Sequence, residues 1–312
     1  MMIRIANPDT DYEQIATLIN LVEANPVTAD QIRSWDSREN TILRRFVAVD
    51  DQNQVIGYGN VVHAPWATAG HYYVYAITDP AHRRRGIGRL LYEHALQFAL
   101  DQGAIFLDSE TREDCPEGLD FAQKRGFTID HHLFESAINL KTFDASRFAG
   151  TIEKLEAQGF RFFSLADVGD TEAARRQLWH VNYQTHLDDP ASAGTFPSFE
   201  ELQDIWAKSD WFVPEGQILA AYGDEYVGLA AVGYFKTDNS MYNLMTGVMP
   251  AYRGRGLAQA LKLISIRFAQ QYGANEIRTD NDSTNAPMLA VNRKLGYIPR
   301  PGIYRLVRDL KG

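Results

Sequence analysis

Apolar and polar positions alternate through Phe46–Val49, Val55–Val62 and His71–Ile77, and a period of two predicts three successive strands, the first pair joined through Asp50–Asn53. The period then lengthens to that of a helix. Ile87, Leu90, Leu91, Ala95 and Phe98 fall on one helical face, Gly103 stops it, and a further strand is expected at Ala104–Leu107. The order recurs later, with strands at Gln217–Tyr222, Tyr226–Tyr234 and Met241–Val248. A helical face follows (Leu257, Ala260, Leu261, Ile264, Phe268), then Gly273 and a strand at Asn275–Thr279. Each series reads as strand, Gly-rich turn, helix, strand.

The turns repeat residue by residue. PAHRRRGIGRLL (Pro80–Leu91) returns as PAYRGRGLAQAL (Pro250–Leu261) after a shift of 170 positions, with six of twelve positions identical. The same frame pairs Phe98 with Phe268, Gly103 with Gly273, Ala104 with Ala274, Lys124 with Lys294, Gly126 with Gly296 and Leu140 with Leu310. A repeat this long makes each copy a whole domain with its own core. The expected division is 1–145 and 146–312, within the hydrophilic stretch Phe143–Gly159. A helix at Ala149–Gln158 there would lead into a strand at Phe160–Leu165.

Composition narrows the class. With 45% hydrophobic and 23% charged residues, no apolar run long enough to span a bilayer and no signal-peptide pattern, the expectation is a soluble, cytoplasmic globular protein without membrane partners. The one cysteine, Cys115, has no intramolecular disulfide partner; it is either a nucleophile or, since no paired base is evident near it, a half-buried thiol at a loop, the favoured reading. A net charge of −9 argues against nucleic acid. Against that background Arg83, Arg84, Arg85, Arg253 and Arg255 stand out.

A helix N-terminus leaves backbone N–H groups unpaired and carries partial positive charge, which attracts phosphate. Glycine at 86 and 256 admits backbone angles and close approach that a side chain forbids, and the arginines add charge-assisted hydrogen bonds. A P-loop would need Lys then Ser/Thr after its last glycine. Here Ile87-Gly88-Arg89 and Leu257-Ala258-Gln259 stand instead. The dinucleotide fingerprint fails too, at Leu91 and Gln259.

These motifs resemble the GNAT superfamily of N-acyltransferases, through AITDPAHRRRGIGRLL and FAQKRGF in the first copy and TGVMPAYRGRGLAQAL and NAPMLAVNRKLGY in the second. Tandem members such as mycothiol synthase share the two-copy plan, with the C-terminal copy catalytic. The resemblance implies an α+β, three-layer α/β/α fold of two tandem domains, each a mixed, mostly antiparallel sheet flanked by helices. It implies acetyl-CoA as co-substrate, no metal, and a small-molecule amine as acceptor. Gly247 and Val248 would hold the pantetheine arm, and Arg253, Gly254, Arg255, Gly256, Leu257 and Ala258 the pyrophosphate. Ile77 and Thr78 with Arg83, Arg84, Arg85, Gly86, Ile87 and Gly88 would do the same in the first copy.

Many relatives place a tyrosine general acid where this chain has Asn292 and Ala122, so tyrosine catalysis is in doubt. The second copy keeps polar Thr279, Asn281, Asn285 and Asn292 where the first has Ser109, Thr111, Cys115 and Ala122, which favours the second for catalysis. The glutamate that mycothiol synthase carries on its fourth strand matches Tyr242, an unlowered phenol being a poor base at neutral pH. Asp280 and Asp282 are the nearby carboxylates, either as a base relayed through water or as helix caps. In WHVNYQTHLDDP (Trp179–Pro190), His180, Tyr183 and Gln184 share a face, and Asp188 or Asp189 is either an amine partner or a polar helix end. Six residues separate His180 from His186, so they make no metal pair. Trp206, Trp211 and Phe212 read as core. Two alternatives remain: a catalytically silent acyl-CoA-binding sensor, or catalysis in the first copy.

Overall fold

The computed structural model describes residues 1–23, 26–188 and 196–311. They form two units that do not coincide with the two halves of the sequence, the first being made of two separate segments. Unit 1 comprises Met1–Asp130 with Ile303–Gly312, and unit 2 comprises His131–Gly302.

Unit 1 carries β1 (Met2–Ile5), α1 (Tyr12–Val22), α2 (Ala29–Asp36), β2 (Ile42–Val49), β3 (Val55–His63), β4 (His71–Thr78), α3 (Ile87–Asp101), β5 (Phe106–Arg112) and α4 (Pro116–Gln123). Unit 2 carries β6 (Thr128–Asn139, joining at His131), α5 (Thr151–Glu156), β7 (Phe160–Ser164), α6 (Glu172–His186), α7 (Phe199–Lys208) and β8 (Phe212–Tyr222). It continues through β9 (Glu225–Phe235), β10 (Ser240–Val248), α8 (Leu257–Tyr272), β11 (Glu276–Asp282), α9 (Ala286–Leu295) and β12 (Ile298–Pro299). The chain's last strand, β13 (Ile303–Asp309), lies in unit 1 and pairs antiparallel with β5, as β6 pairs with β11 in unit 2.

A cut between 145 and 146 therefore misplaces both closing strands. The shift of 170 carries β6 onto β12 and β13, so each unit is closed by the strand that its counterpart's sequence encodes. The pairing is equivalent in both: Leu306 faces Ser109, and Ser136 faces Thr279.

Strand alternation feeds two cores in each unit, which produces the three layers. On β2, Phe46 and Ala48 join Ile87, Leu91 and Ala95 of α3, while Val47 and Val49 face Ile15 and Ile19 of α1. On β8, Ile218 and Ala220 meet Leu261 and Ile266 of α8, while Leu219 meets Leu178 and Val181 of α6. Each sheet is mixed. Within each unit the described strand pairs are antiparallel apart from one parallel pair at its centre, β4–β5 in unit 1 and β10–β11 in unit 2. Trp206 is buried in the α6 layer with Trp211 and Phe212 against it, as core residues.

Candidate acyl-thioester site

In both units the parallel central strands pair over three residues and then part. His71, Tyr72 and Tyr73 pair with Phe106–Asp108, and Ser240, Met241 and Tyr242 with Glu276–Arg278. A hydroxyl bridges the point of parting: Ser109 Oγ donates to the Val74 carbonyl at 2.8 Å, and Thr279 Oγ1 to the Asn243 carbonyl at 3.1 Å. Beyond it the strand edges no longer pair with each other, which opens a slot between them.

Unit 2 adds a bulge at this place, where the β9–β10 register shifts between Asn243 and Met245. Asn243, 2% exposed, fills the bulge and donates to the carbonyls of Ala231 and Met245. At Gly247 a Cβ would lie 2.2 Å from Thr185 Oγ1 of α6, so only glycine lets that helix approach.

The glycine turns follow. Gly86 has φ 81° and Gly256 φ 97°, both left-handed, each immediately before the first residue of a long helix. Arg85 and Arg255 donate to the carbonyls of Ala81 and Ala251, so each folds back across its own turn. Arg253 Nε donates to the Val248 carbonyl and its Nη2 meets Asp188 at 2.6 Å, tying the turn to the end of α6. Asp188 is thus engaged by an arginine of its own unit. Asp189 lies outside the described residues.

In unit 1 a cleft of about 820 Å³ runs from the turn into the slot. Ile77, Thr78, Arg83, Arg84, Gly86, Ile87 and Gly88 all line it, and of the expected first-copy residues Arg85 does not. The cleft also takes in Cys115 and two carboxylates that the sequence did not single out, Glu110 and, from the end of α1, Glu23. Tyr75 donates to Glu23 at 2.6 Å. Burial and the Glu110 carboxylate push the Tyr73 phenol well above its ordinary range. In unit 2, Val248 and Leu257 bury their side chains in the core, so these two positions offer a ligand their backbone groups alone.

The expected catalytic residues of unit 2 divide into two groups. Tyr242 donates to Asp280 at 2.5 Å, and burial with that carboxylate raises its phenol, so Tyr242 is a donor at neutral pH and not a base. Asp280 is exposed at the slot. Asp282, by contrast, is buried and accepts from Thr284 N and Oγ1 and from His131. These bonds outweigh the desolvation that opposes them and hold its carboxyl below the usual range, a capping role.

Asn285 caps α9 through Met288 N. Asn281 ties β11 to β6 by donating to the Phe134 carbonyl and Ser136 Oγ, and it accepts from Asn292 at 2.8 Å. One further residue stands out. Lys262 of α8 is 1% exposed, its Nζ lies 4.8 Å from the centre of the Tyr297 ring, and burial lowers its pKa to about 7. Its signal in the sequence was a lysine inside the apolar face of α8, opposite Tyr92 in the other copy.

No group of three His, Cys, Asp or Glu suited to a metal is found among the described residues, and none of their helices is long and apolar enough to cross a membrane.

The Acetyltransferase (GNAT) family matches residues 11–127 and 179–297, one turn in each stretch. Over 239 residues the chain is 29% identical to the mycothiol acetyltransferase of Saccharomonospora viridis, covering 71% of this chain and 69% of that protein. It is 24% identical over 262 residues to that of Saccharopolyspora erythraea, covering 81% of each. The GCN5-related N-acetyltransferase of Sphaerobacter thermophilus superposes with a TM-score of 0.62 at 18% identity, over 99% of this chain and 95% of that one. A tandem GNAT protein from the clavulanic acid biosynthesis pathway gives 0.58 at 17%, over 99% and 98%.

Proposed function

Because the chain belongs to the acetyltransferase (GNAT) family, we propose that it transfers an acetyl group from acetyl-CoA to the primary amine of a small molecule, with unit 2 carrying the reaction. The observation behind this reading is the pairing, in each unit, of a left-handed glycine turn at a helix N-terminus with a slot between parting parallel strands. The turn suits a pyrophosphate. The slot leaves strand N–H groups free to polarise a thioester carbonyl. Asp280, exposed at the slot and oriented by Tyr242, is the proton acceptor for the attacking amine. The new C–N bond forms as the C–S bond breaks, and the thiolate leaves. Mycothiol acetyltransferase, as the similar proteins are named, supports an amine of a small molecule as the acceptor class.

A second reading places the reaction in unit 1, because its cleft brings Glu110 and Glu23 beside the same slot. Turnover of Gly256→Glu and Gly86→Glu, followed as free-thiol release over a panel of amines, separates the two. Loss with Gly256→Glu alone supports unit 2, and loss with Gly86→Glu alone supports unit 1. If acetyl-CoA binds but no amine releases thiol, the protein is a sensor.

A further inference from the structure

The cleft of unit 1, past its glycine turn, is walled by Tyr92, Ala95, Ala122, Phe127 and Leu306. Of these five only Tyr92 carries a polar side-chain atom, and Arg308 donates to that hydroxyl. The shift of 170 replaces the first four by Lys262, Ser265, Asn292 and Tyr297, and Ser136 takes the place of Leu306 in the exchanged strand. Where one of the five residues of unit 1 has a polar side-chain atom, all five of unit 2 have one. All five replacements are 5% exposed or less.

Three of them have no hydrogen-bond partner among the described residues at Lys262 Nζ, Asn292 Oδ1 and Tyr297 OH. Each such orphan leaves the cost of its desolvation uncompensated, and that cost is larger for a group that carries charge. Unit 1 shows that the fold holds with apolar residues at these positions. A set of orphans there indicates a ligand that satisfies them. Lys262 stands six residues past Gly256, roughly 9 Å along α8 at about 1.5 Å per residue. It is therefore clear of the phosphates and level with a more distal part of the ligand. The one charge on the wall is cationic, so the group that it meets is an anion.

We propose that this wall of unit 2 receives a carboxylate at the far end of the ligand, so that unit 2 takes a short dicarboxylic acyl-CoA in preference to acetyl-CoA. The inference rests on the acyl-thioester reading of unit 2. Lys262 Nζ and Tyr297 OH donate to the carboxylate, and Asn292 Oδ1 holds a second polar atom of the ligand.

Calorimetric titration of the full chain carrying Gly86→Glu, which silences unit 1, tests it with acetyl-CoA and succinyl-CoA as probes. Succinyl-CoA should bind at least about tenfold more tightly, a gap of about 1.4 kcal/mol. Lys262→Met should bring the two affinities within about twofold of each other, and Tyr297→Phe, the residue of unit 1, should narrow the gap by a smaller factor. Succinate added to protein saturated with acetyl-CoA separates the sources: heat that Lys262→Met abolishes means that the carboxylate belongs to a second molecule, the acceptor, and overturns the donor preference. Equal affinities for the two thioesters, a preference that survives Lys262→Met, or an equal loss for both probes on that substitution also overturns it. Binding without preference overturns this inference alone. No binding of either thioester overturns the acyl-CoA reading of unit 2 with it.

Discussion

At the third position of the RRRG and RGRG strings, counted back from the helix, unit 1 holds Arg84 at φ 64° and unit 2 holds Gly254 at φ 74°. The backbone is the same and the residue is not. An L-residue in that left-handed region costs about 1–2 kcal/mol, a cost that glycine avoids. Arg84 lines the cleft, so unit 1 tolerates strain where the side chain brings positive charge to the turn. Unit 2 has a relaxed turn, with its first arginine, Arg253, tied to Asp188. Beyond the turn the contrast reverses, with an apolar inner wall in unit 1 and a polar one in unit 2. Duplication thus preserved the backbone geometry of the glycine turn, while the side chains farther along diverged.

The largest effect should come from the exchanged strand. Deleting residues 303–312 removes β13, with Leu306 at 2% exposure, from a sheet whose other strands lie far away in sequence. Hydrogen exchange should show β4 and β5 unprotected while β10 and β11 keep their protection. Uniform protection would mean that β13 is dispensable to unit 1. Next, Gly256→Glu places a side chain at φ 97° and a carboxylate at the helix N-terminus. It should lower kcat/KM by about 1000-fold, and Gly86→Glu by less than about tenfold. The reverse order moves the chemistry to unit 1.

Asp280→Asn, which removes the proton acceptor, should reduce kcat by about 100-fold. Tyr242→Phe, which removes only the orienting hydrogen bond, should cost less than about tenfold. The smallest effect concerns stability. Lys262 has a folded pKa of about 7, below its unfolded value, so between the two the unfolded chain binds the extra proton and stability rises with pH. The penalty of burying the charge is full at and below about pH 7 and fades toward about pH 10. Urea midpoints should therefore show Lys262→Met stabilising the protein most at about pH 7 and least at about pH 10. Tyr297, whose phenol is raised by burial, lies against the same amine and stays neutral across this range.

Much of this was legible before the structure. The strands around each turn, the helices behind them and the stops at Gly103 and Gly273 followed from periodicity, because each half-buried strand and amphipathic helix writes its own period. The left-handed glycines followed from the repeated string. The strand exchange did not, because the halves encode interchangeable closing strands and nothing local says which sheet each joins. The roles of Asn281 and Asn285 were hidden for a related reason. A polar residue beside a predicted slot reads as chemistry until its partners, the Phe134 carbonyl and Met288 N, are known. Lys262 escaped notice because a lysine on a helix is expected to face water.

Calorimetric titration of acetyl-CoA into the wild-type chain, Gly86→Glu and Gly256→Glu decides whether each unit has its own acyl-CoA turn. Two sites are expected in the wild type and one in each variant, the surviving site differing between the two. An absence of heat from folded wild-type protein, or the loss of one and the same site in both variants, would contradict that expectation.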